Sequence, residues 1–264
     1  RAISDGWQQL HELGAIDAER KLTATGRTMS RLPVDVKLAR MLVAAQAQGC
    51  LHEMLAIASF LGIQDPRERP ADQRAAADNA HAQFADPKSE FVGILKLWEA
   101  YREAHEAMTQ SQLRKWCEKH FLGFLRMREW RELHRQLKLV CEELGWSGSA
   151  LENAAGVPLK KTGSERSRPA GAPAKQPVPA ASSVPKDEGR QKPGEGETGT
   201  GGHMTAAAYA TLHRALIAGL PTQLGQRTER GQYDGPRGRK FQLFPGSSLA
   251  KKPPPWVLSA TLLD

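Results

Sequence analysis

Tyr233 to Asp264 reads YDGPRGRKFQLFPGSSLAKKPPPWVLSATLLD. The stretch has the grammar of a small β-domain. Arg237, Arg239 and Lys240 crowd around Gly235 and Gly238, and a short β-type run follows from Phe241 to Phe244. Gly246-Ser247-Ser248 comes next, then the pair Lys251-Lys252, then an apolar run from Trp256 to Leu263. Flexible backbone, hydroxyls and cations on a β-scaffold suit contact with a nucleic-acid backbone. A basic loop that is merely solvated has the same composition, so the stretch alone leaves both readings open.

The charge of the whole chain sharpens this. Its 264 residues carry a formal net charge of +8, with 25% charged and 40% hydrophobic residues, an ordinary globular balance. Residues 1–155 hold 21 Lys+Arg against 21 Asp+Glu, residues 156–205 hold 8 against 5, and residues 206–264 hold 8 against 3. The excess therefore lies entirely in the C-terminal part, which favours an anionic partner there.

Upstream of the β-type stretch, Ala206 to Leu220 has a helical pattern, with Leu212, Ala215, Leu216 and Leu220 aligned. Between Gly156 and Thr205 the composition changes sharply. Nine Gly and seven Pro fall there, and no aromatic residue occurs between Trp146 and Tyr209. Such a stretch buries too little apolar surface to offset its ordering entropy, so residues 156–205 are expected to be a disordered tether. Gly201-Gly202-His203-Met204 resembles a cloning scar, and a natural Gly-rich linker explains it equally well.

Residues 35–146 read as helical almost throughout. Val36 to Val43 starts a helix ending near Gly49, and Leu51 to Leu61 forms a second ending at Gly62. DPRERP at 65–70 is a turn, because each proline pushes its predecessor out of helical geometry. Further helices are expected at about 70–84, 88–108, 111–123 and 124–144, the last with Leu125, Trp130, Leu133, Leu137, Val140, Cys141 and Leu144 on a core stripe. Residues 1–34 begin with Ile3, Trp7, Leu10 and Leu13 on one stripe. Ala15-Ile16-Asp17 and Lys21-Leu22-Thr23 are then placed to pair across a short turn, as at the end of a winged helix.

Catalytic and metal signatures are missing. Cys50, Cys117 and Cys141 are widely spaced, with no CxxC pair, so they read as buried free thiols in a reducing compartment. No HExxH, no G-x-S-x-G and no G-x-x-x-x-G-K-[ST] occurs, and the dipeptide Gly-Lys is absent altogether. Asp86, Glu90 and Glu99 form no discernible acid–base pair. No apolar run approaches the roughly 20 residues of a membrane span. RAISDGWQQL has no initiator Met and no signal-peptide form, so a cytoplasmic piece of a longer protein is expected, without membrane contact.

A second basic feature lies on the 124–144 helix. Arg128, Arg131, Arg135 and Lys138 are spaced by three, four and three residues and share a face opposite the apolar stripe. Glu129, Glu132, Glu142 and Glu143 can pair with them locally, which is the solvated-surface alternative. The face matters for nucleic acid only if it lies near the basic loop of the terminal domain. Trp98, Trp116 and Trp130 lie within apolar stripes and are expected to pack in the core.

The pieces in this order resemble the C-terminal half of a DEAH-box RNA helicase of the bacterial HrpA type. Leu10 to Ala45, LHELGAIDAERKLTATGRTMSRLPVDVKLARMLVAA, looks like the end of the family's winged helix running into its helical ratchet domain. DPRERP at 65–70, SEF at 89–91, ILKLW at 94–98, LRKWC at 113–117 and FLRMREWRELHRQL at 124–137 look like successive ratchet segments. LHRALIAGL at 212–220 and RGRKFQLFPGSSLAKKPPPWV at 237–257 look like the start of its OB-fold.

The resemblance implies a mainly α chain with part of a winged helix (1–34), a helical ratchet domain (35–155) and part of a β OB-fold (206–264), the last two joined by the disordered linker (156–205) read from composition. It implies a parent enzyme that is an ATP-driven RNA translocase, with ATP and magnesium held by RecA-like domains upstream and no cofactor in this segment. Single-stranded RNA, those RecA-like domains and a regulatory protein are the implied partners. Arg237, Arg239, Lys240, Ser247, Lys251 and Lys252 would meet RNA from the OB-fold, and Arg128, Arg131 and Arg135 would line a channel wall. A linker longer than the family requires suggests that the OB-fold is loosely tethered, and the end at Asp264 suggests that it is cut short. A non-catalytic protein-interaction scaffold with an incidental basic tail is the alternative.

Overall fold

The computed structural model describes residues 2–146, 204–229 and 231–261. Thr23 ties its first hairpin to the helices that follow. Helix α1 (Ala2–Glu12) ends at Gly14, and Ile16 and Leu22 then form an antiparallel bridge. The Thr23 hydroxyl donates to Gly14 O at 2.7 Å and accepts from Gly26 N at 3.0 Å, so one side chain closes the wing and caps α2 (Ala24–Met29). The stripe expected on α1 is buried only at its far end: Leu13 is 3% exposed, Ile3 79% and Trp7 37%. Periodicity marks a face, but only packing buries it, and the Arg20 guanidinium lies over the Trp7 ring at 5.3 Å.

The helical half is built around α4 (Leu51–Leu61), whose residues from Met54 to Phe60 are all buried. Around it pack α3 (Val36–Gln48), α6 (Glu90–Ala107) and α8 (Phe124–Glu143). Trp130 locks α8 to α4: its Nε1 donates to Ala56 O at 2.9 Å and to Ser59 Oγ at 3.1 Å, and its ring meets Phe60 and Trp98 at 5.0 and 4.9 Å. Trp98 and Trp130 are thus core residues, while Trp116 is half-buried against His120. Two shorter helices complete this half, α5 (Arg74–Ala82) and α7 (Gln110–Lys119), the latter opened by a Thr109–Gln112 capping box. Both are shorter than their sequence pattern suggests. The DPRERP turn runs on to Gln73, and Phe121 leaves helical geometry at φ +53° so that Leu122 can bridge to Arg67. Leu125 departs from its expected place in the core, with 66% exposure. It sits two residues before Met127, the first buried residue of α8, and so on the flank that Met127 and Trp130 leave uncovered.

The tether expected over 156–205 lies outside the described residues except for Met204 and Thr205. Thr205 caps α9 (Ala206–Gly219) by accepting from Ala208 N. That helix is not loosely held. Leu212, Ala215 and Leu216 are buried against α3, and Gly219 approaches so closely that a Cβ there would lie 2.4 Å from Lys37 O. His213 Nε2 meets Ser89 Oγ at 2.8 Å, and Tyr209 Oη donates to Lys88 O, which fixes α9 to the start of α6 as well. Each buried leucine contributes about 1.5–3 kcal/mol, so the packing holds α9 whatever the length of chain before it.

Downstream of α9 a four-stranded antiparallel sheet has the order β3-β2-β1-β4, from β1 (Leu224–Arg227), β2 (Tyr233–Asp234), β3 (Lys240–Phe241) and β4 (Trp256–Leu258). The strands are shorter than the apolar runs suggest: residues 242–244 are irregular, and only the first three residues of the Trp256 run pair. Tyr233 and Val257 point inward, at 1% and 5% exposure.

Candidate nucleic-acid interface

The basic loop is the tip of the β2–β3 hairpin. A single 3-10 turn, Pro236–Gly238, links the strands, closed by Gly235 N donating to Arg239 O at 2.7 Å. Arg237 adopts a left-handed conformation at φ +63°, unusual for a residue with a Cβ, and Gly238 follows at +69°. This back-to-back geometry turns the Arg237 side chain toward α1, where its Nη2 donates to Glu12 Oε1. The cation expected to be free for phosphate therefore has an internal partner. Arg239 and Lys240 are exposed and form no ion pair with another described residue, and the same holds for Lys251 and Lys252.

Ser247 contributes less than its place in the sequence suggests. Its hydroxyl accepts from Leu249 N at 3.2 Å, and its amide donates to Phe244 O. The neighbouring Ser248 amide donates to Glu90 Oε1 at 3.3 Å, which seats this loop on the first residue of α6. Both contacts order the loop that carries Lys251 and Lys252.

The α8 cations fall into two groups. Arg135 is bound to Glu132 at 2.7 Å, a contact that holds the Glu132 carboxyl down to about 2, and Arg126 and Lys138 lie 3.9 Å from Glu129 and Glu142. Arg128 and Arg131 form no ion pair with a described residue. They border an open groove of about 700 Å³ with Gly62, Ile63, Leu125 and Leu133. The local pairing read from the sequence thus accounts for Arg135 and leaves Arg128 and Arg131 available.

The two basic features are not one patch. Burial, and then the Arg131 guanidinium, depress the pKa of His105 near the last turn of α6, whereas the loop that carries Lys251 and Lys252 reaches Glu90 in its first turn through Ser248. Fifteen residues of helix separate those points, about 22 Å at 1.5 Å per residue. A strand touching both would have to run the length of α6.

Sequence reasoning passed over Trp256. It is 53% exposed at the start of β4, while its neighbour Val257 is buried. The strand alternation of Trp256-Val257-Leu258 was the available signal, masked by reading the whole run as apolar. Among the described residues no group of three His, Cys, Asp or Glu side chains is placed to grip a metal ion, and no helix is long and apolar enough to cross a membrane. The three cysteines are free and buried, and burial pushes the Cys50 and Cys117 thiols up to about 11.

Comparison with known proteins gives this geometry a context. Residues 6–34 match the helicase associated domain (HA2), winged-helix, residues 35–123 the helicase associated domain (HA2), ratchet-like, and residues 212–264 the oligonucleotide/oligosaccharide-binding (OB)-fold. The whole chain is 35% identical to the ATP-dependent RNA helicase HrpA of Escherichia coli (strain K12) and 34% identical to its Haemophilus influenzae homolog. It spans 17% of the length of each. About half of it, 49%, is 31% identical to 11% of the Schizosaccharomyces pombe pre-mRNA-splicing factor ATP-dependent RNA helicase prp22.

Proposed function

We propose, from the premise that this chain belongs to the helicase-associated region of HrpA-type DEAH-box RNA helicases, that it guides single-stranded RNA for motor domains of the same protein. In this reading the winged-helix, ratchet and OB-fold parts, with boundaries near residues 34 and 205, form the accessory wall of an RNA path. ATP and magnesium work elsewhere. The sequence has no phosphate loop, so the motor chemistry is assigned to RecA-like domains, which act in the cytoplasm with this region as their strand guide.

The observation that supports it most is the placement of Arg239, Lys240, Lys251 and Lys252. All four are exposed and form no ion pair with a described residue, on the sheet and its loops, which follow directly on α9 where it packs against α3. Cations left free on a rigid support suit a phosphate backbone, since a strand gains Coulomb attraction and released counterions without first breaking internal pairs. Arg128 and Arg131 offer a second, more distant contact for a longer strand. A regulatory protein remains a further proposed partner, and the groove beside Leu125 is where it would fit.

Acetylation of lysines with and without single-stranded RNA tests the reading. RNA should slow modification of Lys240, Lys251 and Lys252 and leave Lys37 and Lys138 unchanged. Equal rates at all five lysines would count against the assignment and favour the protein scaffold.

A further inference from the structure

The β-sheet has a second recognition feature on its exposed face. Register places Trp256 of β4 opposite Gln226 of β1, Gln226 opposite Asp234 of β2, and Asp234 opposite Lys240 of β3. Directly opposed residues project to the same side, so the four side chains form one row across all four strands. Opposed Cα atoms lie about 5 Å apart, which makes the row about 15 Å long. All four residues are exposed, and none of their side chains bonds to another described residue.

Trp256 is held ready. The three prolines before it each have a bonded carbonyl: Pro253 O accepts from Arg227 Nη1 at 3.2 Å, Pro254 O from Tyr233 Oη at 2.8 Å and Pro255 O from Arg227 N at 2.8 Å. A segment with three fixed φ angles, pinned at three successive carbonyls, enters β4 with little freedom left. It presents a half-exposed indole that stacks on no other ring among the described residues. An aromatic surface held in that state loses little entropy when a flat ligand covers it.

We propose that this face binds the bases of single-stranded RNA, with one base stacked on Trp256 and a base edge met by Gln226 and Asp234. The inference rests on the RNA-guiding function proposed above and moves the base contacts from the basic loop to the sheet. Lys240 ends the row and faces the backbone, so the loop cations meet phosphates while the row meets bases. The Asp234 carboxylate accepts hydrogen bonds and donates none. It therefore favours adenine, cytosine and guanine, which carry exocyclic amino groups, over uracil, which presents carbonyls on both sides of its one N–H.

The test is binding of labelled eight-nucleotide oligo(A), oligo(C) and oligo(U) to the full chain at several salt concentrations. The unaltered chain should bind oligo(A) and oligo(C) more tightly than oligo(U). Trp256→Ala should weaken oligo(A) about 5- to 150-fold, the range for losing one stacked base, with its salt slope unchanged. Trp256→Phe, which keeps a stacking ring, should recover most of that loss. Asp234→Asn, which adds a donor, should erase the bias against oligo(U). Salt-dependent RNA binding that Trp256→Ala leaves untouched would overturn the base row while the guiding function stands, leaving the face to a protein partner. Failure of the unaltered chain to bind any oligonucleotide would overturn both.

Discussion

The carboxylate of Glu12, the last residue of α1, accepts a hydrogen bond from the guanidinium of Arg237, 225 residues later at the tip of the β2–β3 hairpin. A carboxylate at a helix C-terminus faces the negative end of the macrodipole, and Arg237 relieves that repulsion. The same contact withholds Arg237 from any phosphate. Glu12→Gln should therefore raise affinity for single-stranded RNA about two- to five-fold, the worth of a partly exposed ion pair. The salt slope should steepen by about 0.7. If Arg237 serves only to hold α1, the variant will lower thermal stability and leave binding unchanged.

The close crossing of α9 and α3 depends on Gly219, where a Cβ would meet Lys37 O and Met41 Cγ, both at 2.4 Å. Gly219→Val forces the helices apart and should cost about 1–3 kcal/mol, read as a lower urea midpoint. An unshifted midpoint would mean that α9 is free of the helical half.

Trp130 and Leu125 share α8 and differ in burial, at 0% and 66% exposure. Trp130→Ala should destabilise by about 3–5 kcal/mol through the cavity it leaves. Leu125→Ala should change stability by less than about 0.5 kcal/mol. Equal effects in calorimetry would contradict the burial pattern.

Those two residues show what the sequence could and could not reveal. The α4 run and the Trp130–Leu137–Cys141 stripe were legible because helical spacing and apolar character coincide there. Leu125 and Ile3 have the same character at the same spacing, yet sit where no described element buries them. Arg239, Lys240, Lys251 and Lys252 were legible as cations on a glycine-rich loop. The Arg237 partner was not, because nothing local in the sequence points to a glutamate 225 residues away. The firm seating of α9 was hidden for another reason: linker composition describes the linker, and says nothing about how the helix after it packs.

Acid should weaken the core through His134. Burial, with His52 and Lys138 adding to it, lowers its pKa from 6.5 to about 4. The folded state then keeps the ring neutral while the unfolded chain takes up a proton below pH 6.5. Stability from this group is complete above pH 6.5 and is lost as pH falls toward 4, by as much as about 3 kcal/mol. His81 and His213 shift in the same direction, both chiefly through burial. Urea midpoints at pH 7.5 and 4.5 should differ less for His134→Leu than for the unaltered chain, and an unreduced difference would exclude His134 as a source.

The salt dependence of single-stranded RNA binding tests the strand-guiding function most directly. Plotted as log affinity against log salt, the unaltered chain should give a negative slope of about 0.7 per phosphate neutralised. Replacing Arg239, Lys240, Lys251 and Lys252 together with alanine should make that slope shallower by as much as about 2.8, four times 0.7, and weaken binding at every salt concentration. A flat slope for the unaltered chain, or a slope that the four substitutions leave unchanged, would contradict the account.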